Sequence, residues 1–104
     1  MSPTIKPRFV HLGINPQGVL AVPVPNINAT IEEYLNNVVL DWFRYSSQTY
    51  VLWTNLDLLE INEGIKSQLG VQGVYLLTVE FSHGGCQGWM PAQFWQWFNK
   101  PRVQ

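Results

Sequence analysis

The sequence predicts a single α+β (or α/β) domain spanning residues 1–104, with elements in the order ββαβαβα around a mixed four-stranded sheet. Three observations carry that expectation. Short β-rich runs alternate with stretches whose apolar residues recur at helical period. The run Thr49 to Thr54, the stripe ending at Leu69 and the run Val74 to Phe81 follow one another through short turns, the spacing of a parallel βαβ unit. The length, 104 residues, is near the commonest domain size and supports a core without staples.

Residues 1–7 read as a loose arm, since Pro3 and Pro7 cannot donate to a ladder. Arg8 to Ile14 and Val19 to Val24 flank Asn15 to Gly18, whose Asn, Pro and Gly suit a type I turn, so a β-hairpin is expected. Pro23 would put its second strand at an edge. Thr30 and Glu33 form a capping-box pattern, and the helix it starts is expected to run to about Tyr45. Ile31, Tyr34, Leu35, Val38, Val39, Trp42 and Tyr45 then share one face. Leu40 falls opposite and Phe43 at the margin, the two apolar residues that a monomer would leave wet.

Ser46 to Gln48 breaks that pattern, and Thr49 to Thr54 is apolar on both faces, as an interior strand should be. Thr54 or Asp57 is placed to cap the next helix, whose stripe is Leu58, Ile61, Ile65 and Leu69, with Gly70 as its stop. Asn62 lies inside the stripe and needs a partner if buried. Gly64, costly in mid-helix, suggests close packing on the sheet. In the strand from Val74 to Phe81, Tyr75, Leu77, Val79 and Phe81 point one way. The last helix opens at Pro91 and carries Met90, Phe94, Trp95, Trp97 and Phe98 on one wide face. It is too short to stand alone, so that face must dock on its own sheet or on another chain. The order of helices and strands is loosely like ferredoxin-type plaits, an analogy between folds that carries no function.

Composition narrows the partners. Charged residues make up 12% of the chain against a usual value of roughly 25%. Few charges leave apolar surface uncovered, and such patches mark interaction sites. Net charge is -1 and the six Lys and Arg are scattered, which gives no footprint for duplex nucleic acid. One cysteine allows no internal disulfide, and no apolar run reaches membrane-span length. A cytoplasmic location, no membrane association and no cofactor are expected.

Candidate chemistry centres on the loop from Ser82 to Gly88. Cys86 lies between a strand and a helix, where a thiol can be presented as nucleophile, and His83 is near enough in sequence to act as its base. Glu80, in an otherwise apolar strand just before the loop, is the third catalytic candidate, since a buried carboxylate would have a raised pKa. The bland readings compete: a lone cysteine is usually a small hydrophobe, Glu80 at a wet strand end is merely exposed, and loop glycines serve tight corners. His11, His83 and Cys86 show no metal-ligand spacing, so no metal is expected. Gly84, Gly85 and Gly88 match no phosphate-binding fingerprint.

The leading expectation is therefore a non-catalytic interaction or assembly protein, a homo-oligomer or a subunit bound to a protein partner. Its binding residues would be Trp89, Phe94, Trp95, Trp97 and Phe98, with Leu40 and Phe43. The alternatives are a thiol-dependent enzyme built on Cys86 and His83, and a small-ligand binder with a pocket under the 82–89 loop.

Overall fold

The sheet is built on the strand β1 (Arg8–Asn15), which is paired along both of its edges. The computed structural model describes residues 6–15, 27–69 and 75–102. Among these, the chain continues through α1 (Ile27–Val38), β2 (Asp41–Ser46), β3 (Thr49–Thr54), α2 (Leu58–Leu69), β4 (Tyr75–Phe81), a single 3-10 turn at His83–Gly85 and α3 (Ala92–Phe98). The strand order is β2-β3-β1-β4. Every neighbouring pair is antiparallel. Two crossovers, β1-α1-β2 and β3-α2-β4, each skip over one strand, which is the split arrangement of the ferredoxin-like plait.

Three expectations are corrected. The parallel βαβ unit does not form: β3 and β4 run in the same direction, but β1 lies between them and takes both ladders. The hairpin between Arg8–Ile14 and Val19–Val24 is not what β1 pairs in, since β3 and β4 occupy its edges; residues 16–26 lie outside the described residues. The helix expected up to Tyr45 ends at Val38, and Asp41–Ser46 is an edge strand instead. Trp42, Phe43 and Tyr45 favour strands, and Asp41-to-Ser46 alternates as well as it spirals. A two-residue turn at Ser47 and Gln48 then folds β2 onto β3, with the register broken between Arg44 and Ser46.

Period-two alternation gives the sheet two different faces. Val10, Leu12 and Ile14 of β1 and Tyr50 and Leu52 of β3 point to α1 and α2, meeting Ile31, Leu35, Ile61 and Ile65 in the larger core. Asp57 supplies the α2 cap, its Oδ1 accepting from the Leu59 amide at 2.9 Å, while the Thr54 hydroxyl accepts from Leu56 instead. Gly64 marks close packing on α1 rather than on the sheet, because the Tyr34 phenol fills the space beside it. Tyr50 is wholly buried, and its hydroxyl donates to Glu32 at 3.0 Å, which in turn pairs with Arg44 at 3.1 Å. Burial, then the Glu32 carboxylate, push the Tyr50 phenol far above its ordinary range.

The second face carries Phe9, Val51 and Trp53, and α3 docks on it through Phe94 and Phe98. Seven residues suffice for this helix because its apolar side is buried against the sheet. Its last turn is closed by Arg102, whose guanidinium donates to the carbonyls of Trp97 at 2.6 Å, Phe98 at 3.1 Å and Lys100 at 3.2 Å. Asp41 of β2 clamps the same segment, with Lys100 Nζ at 2.9 Å and Arg102 at 3.5 Å. Burial alone would raise the Asp41 pKa, but contacts led by the Lys100 ammonium outweigh it and hold the carboxyl below its ordinary value.

Candidate functional site

α3 is shorter than the sheet it packs on, so part of the second face stays bare. Register places its side chains in rows. The first, Asp41, Trp53, Phe9 and Phe81, lies under α3. The next is Phe43, Val51, His11 and Val79, of which Phe43 is covered through an edge contact with Phe94, ring centroids 5.6 Å apart. Beyond it come Thr49, Gly13 and Leu77, then Tyr75. On the β4 side these rows face solvent: Tyr75 is 68%, Leu77 64% and Val79 46% exposed. Gly13 has no side chain to fill the middle, which leaves a trough floored by backbone between Tyr45 and Leu77.

The trough opens toward a cleft of about 310 Å³ under the 85–90 loop, lined by His11, Tyr45, Cys86, Met90, Phe94 and Trp95. His11 Nε2 and Tyr45 Oη are hydrogen-bonded at 2.6 Å between strands β1 and β2. Burial pulls the His11 pKa down, so the ring is neutral near pH 7. Burial also pushes the Tyr45 phenol up. The cleft is thus uncharged at neutral pH.

Each residue singled out in the sequence now has a place. Cys86 is half-buried at the cleft wall, and burial raises its pKa, the reverse of what an activated nucleophile needs. His83 turns away from it. Its Nε2 donates to Asn99 Oδ1 at 2.6 Å, and its ring stacks on Phe98 with centroids 4.6 Å apart and planes 8° from parallel. No hydrogen bond links His83 to Cys86 among the described residues. Glu80 is mostly exposed and reaches Arg8 at 3.7 Å, so the structure does not bring the three catalytic candidates together. Among the described residues no three His, Cys, Asp or Glu side chains converge on one point.

Of the binding candidates, Phe94 and Phe98 are each only 2% exposed and belong to the core, which removes them from any contact surface. Phe43, Trp95 and Trp97 are half-buried around them. Trp89 stands fully exposed on the loop and Leu40 is exposed in the turn before β2. The loop glycines Gly84, Gly85 and Gly88 all keep ordinary negative or extended backbone angles, so left-handed freedom is not why they are there.

Sequence reasoning missed Asp41, Tyr45, Gly13 and Arg102, and weighed His11 only as a metal ligand or a packing residue that hydrogen-bonds. Reading Asp41 to Ser46 at period two rather than 3.6 would have put Asp41, Phe43 and Tyr45 on one face. The partners of that face, β1 and the chain after α3, are distant in sequence and leave no local sign. Among the described residues no helix is long and apolar enough to cross a membrane. Compared with known proteins, the chain matches no family model, no curated protein and no solved structure.

Proposed function

We propose that the protein is a non-catalytic binding module that pairs with a second copy of itself through the bare part of the second sheet face. The observation that carries this reading is the row Tyr75, Leu77 and Val79, an apolar stripe on an edge strand beside the empty trough at Gly13. A two-fold dimer presents the same patch from both sides, and a stripe next to a trough is self-complementary: the Leu77 side chain of each copy enters the other's trough. Charge favours a copy of the same chain over an ionic partner. The rows His11 to Tyr75 contain no Asp, Glu, Lys or Arg, and His11 is neutral. Trp89 would extend the contact from the loop.

Sedimentation equilibrium tests this directly. A dimer at micromolar concentration, dissociated by Leu77→Glu with no loss of helix content, is the expected result. A monomer at high micromolar concentration, unaltered by that substitution, overturns it.

A second reading, a small-ligand binder, is favoured by the uncharged cleft under the 85–90 loop. Binding of apolar probes that survives Leu77→Glu but is lost in Cys86→Trp would support it. The thiol-enzyme reading draws no support from a thiol whose pKa is raised and a histidine committed to Asn99.

A further inference from the structure

Half of the chain's six lysines and arginines meet at one cleft. Arg8, Lys100 and Arg102 line it together with His83, and no Asp or Glu lines it among the described residues. It lies where β1 begins, β3 ends and the chain leaves α3, at the opposite end of α3 from the cleft that holds Cys86, and encloses about 320 Å³. Its apolar wall is aromatic: Phe9, Trp53, Phe81 and Phe98.

The nearest carboxylates do not neutralise it. Asp41 is shared between Lys100 and Arg102, and Glu80 reaches Arg8 only at 3.7 Å from an exposed position. Three cations against two carboxylates leave a local positive excess in a chain whose net charge is -1. Arg102 adds an independent sign. Its side chain is only 8% exposed, and its guanidinium lies 4.6 Å from the Trp97 ring and 5.2 Å from the Phe9 ring. The two terminal nitrogens are satisfied by carbonyls, but Nε is buried and has no hydrogen-bond partner among the described residues. The guanidinium charge is thus held in place, and an anion in the cleft meets it without side-chain reordering.

We propose that this cleft binds a small organic anion: a flat apolar ring lying against Phe81 and His83, the lining rings that keep accessible surface, carrying a carboxylate or phosphate held by the charge of Arg8, Lys100 and Arg102. The clustered positive charge suits either headgroup, and the aromatic wall favours an anion that carries a ring. This site is separate from the sheet face proposed for self-association, and neither proposal depends on the other.

The five indole N–H signals of the ¹⁵N-labelled full chain report on it. Phenyl phosphate and benzoate are titrated in turn, beside inorganic phosphate and uncharged benzyl alcohol. The expected result is that a ring-bearing anion displaces the Trp53 and Trp97 signals and leaves Trp42 and Trp89 in place, the tighter of the two naming the headgroup. Lys100→Gln, at an exposed side chain, should weaken that binding about fivefold, the scale of one partly exposed ion pair, with the helix content of the parent retained. No displacement at millimolar anion overturns the proposal, as does equal binding of benzyl alcohol or of inorganic phosphate alone.

Discussion

The phenol of Tyr34 on α1 lies in the space that a side chain at position 64 of α2 would need, so the two helices meet ring against glycine. That contact explains a residue that helix propensity alone disfavours. Gly64→Ala should destabilise the fold by about 1–3 kcal/mol through overpacking, although alanine is the better helix former. In a Tyr34→Ala background the sign should reverse, with Gly64→Ala stabilising by up to about 1 kcal/mol. Urea unfolding of the four variants measures both numbers, and additivity would show that the ring does not hold the glycine in place.

Asp41 links pH to the docking of α3. Its folded-state pKa is depressed, so its contribution is complete above the unfolded value of about 4 and is lost as pH falls through the folded one. Asp41→Asn should cost about 1–2 kcal/mol at pH 7 and flatten the loss of stability below about pH 4. Thermal melts of both proteins between neutral and acid pH check this.

Burial raises the Cys86 pKa, so alkylation should follow an apparent pKa above the ordinary value of about 8.5. The rate at neutral pH should be unmoved by His83→Ala, because that ring is bonded to Asn99. A pKa below the ordinary value that rises when His83 is removed would revive the thiol-enzyme reading.

Gly13 has no left-handed backbone, and a Cβ there meets nothing nearer than His11 Cε1 at 3.8 Å. Gly13→Val should therefore leave the monomer intact while filling the trough, shifting a dimer toward monomer. Chemical denaturation and sedimentation on the same sample separate the two effects.

Phe98 is 2% exposed and packs on Phe9 at 4.5 Å between ring centroids. Its truncation to alanine should cost about 3–5 kcal/mol, whereas Trp89→Ala should lie within about 0.5 kcal/mol of the parent. Equal effects would show that α3 is not anchored as described.

Where a local pattern admits one solution, the sequence by itself determined the outcome. The alternation of Tyr75, Leu77, Val79 and Phe81 could only be a strand, and Asp57 ahead of Leu58, Ile61 and Ile65 could only begin a helix. The aromatic side of α3 had to be covered. Tertiary structure decided what local pattern leaves open. Trp42, Phe43 and Tyr45 satisfy both the helical and the strand period, and pairing with β3 selected the strand because it satisfies the backbone of an interior β-strand. Likewise no short stretch encodes that β1 separates β3 from β4, since ladders join residues dozens of positions apart. That one choice of neighbours leaves Tyr75, Leu77 and Val79 bare and brings Arg8 to Arg102, and so it created both candidate sites.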